Sequence, residues 1–467
     1  MKVADLDSPV RADWFYDQGL RLDATPYLSG AIEARKRLES LPNTVRLDRI
    51  TTDIHHAGRF SRRWVNDREH GVPFFSSTDI LEADYSYLPY IAKSAAAQAP
   101  ELLIEPRWTL ITRSGTVGRI AYARQDVAGF ACSEHVMRVI PNESEVLPGY
   151  LNTFLRSRFG VPMILASAYG AIVQHIEPHH LVDLPVPRFD SDLETRIHEL
   201  VEASARLRAA FQSGLEKATE DFFRSVGLPE LIDYRWHGAD REHGFEVTNF
   251  GPESIRALNF SPRARRIVER LAAVEHRHLG EICEGGLLGS GVRFKRIDAD
   301  QQHGVQLIGQ RQGFWMRPEG RWISALAAPP DIFAPEETIL IASQGTLGEN
   351  EVFCRALMVY GAWKEHAYTQ HFLRVISGDD RVSGAYLYAF LRSEVAFRLL
   401  RSMSVGGKQQ DIHAHLRREI PIPMAPVADR DRIAETVRQA YRDRDQADVL
   451  EDEALALLTA AVEGAEG

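Results

Sequence analysis

The sequence predicts an α+β protein: two tandem mixed α/β domains, each followed by a long helix, with the two long helices packing on each other as an antiparallel coiled coil. Three observations predict it. One half of the chain repeats the other at a constant offset. Each copy carries short β-branched runs and then helical ones. Each copy also closes on a proline-broken exit that leads into a run with coiled-coil spacing. The boundaries read from this pattern are 1–189 for the first domain, 190–227 for the first long helix, 228–424 for a linker and the second domain, and 425–467 for the second long helix.

The repeat comes first because it organises everything else. From His135 to Pro187 the chain matches the stretch from His371 to Pro423 without a gap. Arg138, Val139 and Ile140 answer Arg374, Val375 and Ile376; Tyr150, Phe154, Arg156 and Ser157 answer Tyr386, Phe390, Arg392 and Ser393; Gln174, His179 and Pro185 answer Gln410, His415 and Pro421. Ordinary composition yields about three identities by chance over such a stretch. Upstream, Gly115-Thr116-Val117-Gly118 answers Gly345-Thr346-Leu347-Gly348, and His70-Gly71-Val72 answers His303-Gly304-Val305. The opening segments LDATP (22–26) and LNFSP (258–262) also correspond, each leading into a helical run, AIEARKRLESL and ARRIVERLAAV.

Within each copy, TLITRS and TILIAS read as strands ending at a G-T-x-G turn, and MRVI and LRVI as further strands. LPGYLNTFLRSRFGVPMILASA and VSGAYLYAFLRSEVAFRLLRSM carry the spacing of an amphipathic helix. Leu-Pro-Val-Pro and Ile-Pro-Ile-Pro then force an extended exit. Beyond the first exit, Leu193, Ile197, Leu200, Leu207, Phe211, Leu215, Ala218 and Phe222 recur at threes, fours and sevens; beyond the second, Ile433, Val437, Ala440, Leu450, Ala454, Leu457 and Ala461 do so, interrupted by the charged RDRDQ. Two helices docked separately on their own domains are the alternative to a shared seam.

At 467 residues and 44% hydrophobic content the chain is long enough for two or three real cores. The start, MKVADLDSPVRADWF, has no apolar stretch behind its charges, and no run of about 18 apolar residues occurs, so a cytoplasmic protein with no membrane span is expected. Cys132, Cys283 and Cys354 lack paired spacing and read as reduced, buried thiols. The net charge of -10 argues against a protein that coats nucleic acid through a global positive field. Basic charge is local instead, in RFSRRWVNDR (59–68) and RFKR (293–296).

Catalytic motifs are missing. There is no phosphate-binding G-x-x-x-x-G-K-[ST], and GGLLGSG (285–291), lacking its lysine, reads as a flexible loop. Pro330-Asp331 with Glu336-Glu337 lacks the lysine of a metal nuclease, and no Asn-Pro-Pro-Tyr-like tetrapeptide for base methylation appears. His175, Glu177, His179 and His180 are dense enough to suggest a metal site, but the second copy has Asp411, His413 and His415 in another pattern, and Pro178 breaks the helix that would align them. No metal site is therefore assigned. The G-T-x-G turns serve either as tight connections needing positive φ at glycine or as places of close approach to a phosphate. Arg113 and Arg119 favour the second reading in copy one, and Glu349 opposes it in copy two.

The copies differ where they are most exposed: RFSRRWVNDREHG against RFKRIDADQQHG, PFFSSTDI against QLIGQRQG, SAYGAIVQ against MSVGGKQQ. One frame with two sets of Arg, Gln, Lys and Ser suits two readers of two base sequences, because Arg and Gln pair bidentately with guanine and adenine. Neutral drift of surface loops is the alternative.

Taken in order, the RLDATPY opening (21–27), the strand ending in TRSGTVGR (112–119), the SEHVMRVI strand (133–140), the Y-L-x-x-F-L-R-S helix, the P-V-P exit and the long helix after each copy resemble the specificity subunits of type I restriction-modification systems. The resemblance covers nearly the whole chain. It implies that each copy is a target recognition domain reading half of a bipartite gapped site in double-stranded DNA. The paired helices would serve as ruler and as docking surface for two modification (methyltransferase) subunits and the restriction (motor-nuclease) subunits. It implies a non-catalytic chain with no cofactor of its own, with S-adenosylmethionine, ATP and Mg on the partners, acting in phage defence. Helices of about 33 residues span about 50 Å, more than one turn of duplex at about 34 Å. Asn259 and Gln370 depart from the family's opening aspartate and the glutamate before the histidine.

Charge and position nominate the DNA contacts. In copy one they are Arg59, Arg62, Arg63, Ser76, Ser77, Arg113, Ser114, Gly115, Thr116, Arg119 and Gln174. In copy two they are Arg293, Lys295, Arg296, Gln310, Arg311, Gln312, Gln344, Gly345, Thr346, Lys408, Gln409 and Gln410. Three other readings stay open at this point: a specificity subunit serving a different defence effector, a protein-interaction scaffold, and an enzyme working at the His175–His180 cluster.

Overall fold

The computed structural model describes residues 10–17, 21, 23–170, 174–240, 244–247 and 254–465. Leu22 of the first opening segment and Ala171, Ile172 and Val173 of the divergent SAYGAIVQ stretch lie outside them. The described residues form two compact units. The first holds the chain up to Glu82, then Leu88–Ala209 and the residues from Gln446; the second holds Ala83–Tyr87 and Ala210–Asp445.

In the first unit an antiparallel sheet orders the strands Thr51–His56, Val136–Pro141, Thr109–Thr112 and Ile120–Tyr122. All four residues of Thr109–Thr112 are buried, as a strand covered on both faces requires. A second sheet orders Trp64–Val65, Tyr90–Ala92, Gly71–Phe75 and Ala131–Cys132, the last pair parallel. The second unit repeats this plan. Its main sheet runs Leu287–Ser290, Phe372–Ile376, Ile339–Ala342, Ala356–Met358, and its smaller one Gly320–Ser324, Gly304–Ile308, Ala367–Tyr368, again parallel at the last pair. The exits read from the prolines are short strands in both units, Pro185–Pro187 on Thr44–Arg46 and Pro421–Pro423 on His276–His278.

The repeated Arg138 and Arg374 have a structural task. Both are buried, and each guanidinium donates only to backbone carbonyls: Arg138 to Leu102 and Cys132 among others, Arg374 to the corresponding Ile332 and Tyr368. The carbonyls replace the water a buried cation loses.

Two expectations need correction. GGLLGSG is no flexible loop: Leu287–Ser290 is an edge strand paired with Phe372–Ile376, and a Cβ on Gly286 would collide with the Ile376 carbonyl, so the glycine serves close approach. Each run read as one amphipathic helix is two helices, Pro148–Arg156 with Gly160–Ala166, and Gly384–Leu391 with Glu394–Ser402. The cause is a serine: Ser393 caps the second helix of its pair, and Ser157 holds the turn that precedes the other. Ser393 Oγ accepts from Ala396 N at 3.1 Å, and Ser157 Oγ accepts from Gly160 N at 3.1 Å. The first helix of each pair is buried on nearly all sides.

The long helices are Ser191–Ser225 and Val427–Gly464. Within the first unit, Arg196 pairs with Glu453 at 2.7 Å, Ser204 Oγ donates to Glu451 at 2.9 Å, and Arg208 reaches Asp448 at 2.6 Å and Glu451 at 2.8 Å. Within the second, Phe211 meets Tyr441 edge-on, Gly214 faces Ala440, and Arg432 pairs with Asp221 at 2.6 Å. In each unit the partners run in opposite sequence directions.

The seam is more polar than the apolar pattern alone indicates. On the second helix the buried stripe is Ile433, Val437, Ala440, Arg444, Ala447, Glu451, Ala454, Leu458 and Val462, at alternating fours and threes that end on a four. Leu457 and Ala461 lie beside it, half-buried. Arg444 carries the stripe through the RDRDQ interruption: its guanidinium lies 3.9 Å from the Trp363 ring and 4.6 Å from the Tyr441 ring, and donates to Tyr360 O at 2.9 Å. On the first helix Ser204 and Arg208 take seam positions, and Leu207 is half-buried.

Candidate nucleic-acid interface

The G-T-x-G turn is the hub in both units. In the first, Arg113 N donates to His135 O at 2.9 Å, Gly115 N donates to Gln174 O at 3.1 Å, and Ser77 Oγ lies 3.4 Å from Ser114 O. In the second, Ser343 N donates to His371 O at 3.0 Å, Gly345 N donates to Gln410 O at 3.3 Å, and Gln310 Nε2 donates to Gln344 O at 2.7 Å. Bond for bond, the same three stretches converge on the same turn. The side chain supplying the last contact is Ser in one unit and Gln in the other.

The turns differ in backbone. Gly115 and Gly118 have φ of 76° and 81°, as a tight connection demands, whereas Gly345 and Gly348 do not occupy the left-handed region. There the chain is held by Arg401, which donates to the carbonyls of Leu347, Gly348, Glu351 and Phe353. Burial pushes the Arg401 guanidinium down to about 10. Sequence reading missed Arg401 because its partners are backbone atoms, which leave no residue signature.

Arg113 is buried, and its guanidinium is spent inside the fold, on Ile176 O, Glu134 O and the Glu177 carboxylate. It holds the turn rather than standing free at the surface. Glu177 also accepts from Tyr169 OH at 3.2 Å and faces His56 Nε2 at 3.1 Å. His175 Nδ1 lies 2.7 Å from Ser114 Oγ, and Glu177 N donates to His180 Nδ1 at 3.0 Å. The His175–His180 cluster thus turns its side chains to separate partners, and among the described residues no three metal-ligating side chains gather.

A basic arm flanks each hub. Arg59, Arg62 and Arg63 are exposed in the first unit, and Arg293, Lys295 and Arg296 in the second. Phe60 anchors the first arm against Phe74, with Arg62 over both rings; Phe294 packs on the core beneath the second. Arg62 pairs with Glu134 at 2.9 Å beside His135, and the charge of Arg296 is felt at His371. Burial first, and those arginines also, lower the pKa of His135 and His371, which favours the uncharged ring at both positions. Each arm ends at the same device: His70 N and Nδ1 on Asp67 Oδ1 at 2.8 and 2.9 Å, His303 N and Nδ1 on Asp300 Oδ1 at 3.0 and 2.9 Å.

The remaining candidates divide. Thr116, Gln174, Thr346, Lys408 and Gln409 are exposed at the hubs, and Gly115 has open space around it. Ser76 is tied to Asp79, Gln410 is buried at the start of the strand Gln410–Ile412 that pairs with Ser404–Gly406, Arg119 and Arg311 are half-buried and already engaged, and Gln312 is half-buried.

Three solved structures align with most of this chain. The S subunit of a type I restriction-modification system from M. genitalium aligns over 91% of this chain and 95% of its own, at 13% identity and a TM-score of 0.35. The HsdS subunit from Thermoanaerobacter tengcongensis covers 91% and 98% at 15% identity and 0.27. A chain from a structural study of complex assembly and conformational transition in the type I R-M system covers 91% and 98% at 16% identity and 0.26. No protein-family model and no curated protein sequence matches the chain. The three cysteines are buried and unpaired, and no helix among the described residues is long and apolar enough to cross a membrane.

Proposed function

We propose that this chain is the specificity subunit of a type I restriction-modification complex, a non-catalytic reader whose two units each recognise one half of a gapped site in double-stranded DNA. One observation carries the reading: a single scaffold is built twice, its hub hydrogen bonds repeated, while the side chains at the exposed tips differ. Drift alone gives scattered change, whereas here the change falls on groups able to touch base edges.

The two basic arms supply phosphate contacts that position without specifying. An acidic chain carrying two local basic arms suits a subunit whose partners share the neutralisation. The opposite sequence directions of the helix contacts in each unit support a continuous antiparallel coiled coil. Helices of 35 and 38 residues span about 52 and 57 Å, long enough for a ruler between half-sites. Two modification subunits would dock there and bring S-adenosylmethionine; restriction subunits would bring ATP and Mg. Cytoplasmic action follows from that role.

The test is co-expression of the chain with the modification subunit of its own system, followed by mapping of adenine methylation across host DNA. A gapped two-part motif is expected. An assembled complex that methylates no such motif overturns the reading and favours a scaffold.

A further inference from the structure

In the second unit the hub side chains form a composite amide. Gln310 grips the backbone of Gln344 with both ends of its amide, Nε2 donating to Gln344 O at 2.7 Å and Oε1 accepting from Gln344 N at 3.1 Å. Gln310 is therefore consumed in positioning. The Gln344 side chain is oriented in turn: its Oε1 faces His371 Nδ1 at 2.6 Å and accepts from Gln409 Nε2 at 3.4 Å. With His371 as the Nδ1–H tautomer the oxygen is held twice, so the group Gln344 offers outward is its NH2, and no protein partner takes it among the described residues. Gln409, exposed, has turned its NH2 inward and offers its oxygen. A donor and an acceptor thus stand side by side on two residues, with exposed Lys408 and Thr346 next to them in sequence.

We infer, resting on the DNA-recognition reading above, that Gln344 and Gln409 together read the major-groove edge of one adenine, Gln344 donating to N7 and Gln409 accepting from the N6 amino group. Guanine presents two acceptors on that edge, N7 and O6, and its O6 would face the Gln409 oxygen. The pair therefore rejects guanine by lone-pair repulsion as well as favouring adenine. The first unit cannot make this reader. Its counterpart of Gln344 is Ser114, whose hydroxyl lies 2.7 Å from His175 Nδ1, and in the sequence Gln409 is answered by Val173, which has no polar side-chain group.

The test uses the full chain in complex with its modification subunit. The complex selects its motif from random duplexes, and each adenine of that motif is then replaced singly by 7-deazaadenine, which lacks the N7 acceptor. One adenine in one half-site is expected to lose about tenfold or more in affinity on replacement. Gln344→Ala and Gln409→Ala are expected to lose preference for adenine over guanine at that same position by a similar factor, and Gln344→Ala to become indifferent to 7-deazaadenine there. The replacement in wild-type complexes needs no mutant to fold. If a bipartite motif is selected but no adenine responds, or the variants keep their preference, the adenine assignment is overturned while the recognition reading stands. If no motif is selected at all, both fall together.

Discussion

Replacing Asp84 with alanine removes the counter-charge of Arg392 in the most deeply buried arginine pair among the described residues of the second unit. Asp84 and Arg392 have side chains only 9% and 3% exposed. Arg392 Nε and NH2 donate to Asp84 Oδ2 at 3.2 and 2.6 Å, and the other carboxylate oxygen accepts from Ser86 N at 2.9 Å and Gln212 Nε2 at 3.3 Å. In Asp84→Ala the guanidinium keeps only neutral acceptors, Leu215 O at 2.9 Å, Thr219 Oγ1 at 2.7 Å and Ser86 Oγ at 2.9 Å. A buried charge left this way costs about 3–5 kcal/mol. For a unit of this size that lowers Tm by roughly 6–20 °C. The double variant Asp84→Leu with Arg392→Met, which removes both charges, is expected to recover most of the loss, because a well-packed apolar pair replaces a buried ion pair at little cost. Calorimetry of the purified chain or complex reads both, with Asp84→Leu and Arg392→Met as the single variants that complete the double-mutant cycle. An Asp84→Ala protein within about 1 kcal/mol of the parent, against the handicap expected of an unpaired buried charge, refutes the reasoning.

The same pair sets an acid limit. Burial alone raises the Asp84 carboxyl, but the Arg392 charge and the Ser86 hydrogen bonds outweigh it and hold the group at about 2, against 3.8 when unfolded. A lowered carboxyl gives stability that is complete above the unfolded value and lost as pH falls through the folded one, here about 2 kcal/mol between roughly pH 5 and pH 2; Arg392→Met, which leaves burial to raise the carboxyl, should abolish or reverse that loss. Glu451→Ala strips the carboxylate shared by Arg208, Arg156 and Ser204, and a loss of about 3 kcal/mol in the unfolding of the first unit is expected, with a loss under about 1 kcal/mol counting against a polar seam. Replacing Arg293, Lys295 and Arg296 together by alanine should weaken DNA binding evenly across sequences and reduce the log–log salt slope by about one for each cation that touched a phosphate; an unchanged slope would remove the second arm from the interface.

Much of the architecture was legible because duplication exposes it. His135, Arg138, Tyr150 and Pro187 recur as His371, Arg374, Tyr386 and Pro423, and the strands, exits and long helices stand where their patterns put them. What stayed hidden depended on partners far away in sequence or on backbone atoms. Periodicity sees no break at Ser157 or Ser393, because the apolar spacing continues through the cap. It also discounts Arg208, Arg444 and Glu451 as seam residues, since a buried charge is recognisable only with its partner in view. Asp84 pairs with a residue 308 positions away. At the candidate interface the residue types were readable but their availability was not: Arg113, Ser76, Gln310 and Gln410 are engaged within the fold, Gln344 is half-buried with its oxygen engaged, and Gln409 and the two basic arms are exposed.

Asp84 also shapes the most direct test of the central claim, because Ala83–Tyr87 belongs to the second unit although it lies within the first copy. Residues 45–187 are exchanged for those of another reader, with 83–87 kept, and adenine methylation is mapped in cells that also make the modification subunit. The account predicts a gapped motif in which one half changes and the other half and the spacing stay as they were. An assembled exchange complex that methylates the original motif, or one in which both halves change, contradicts it.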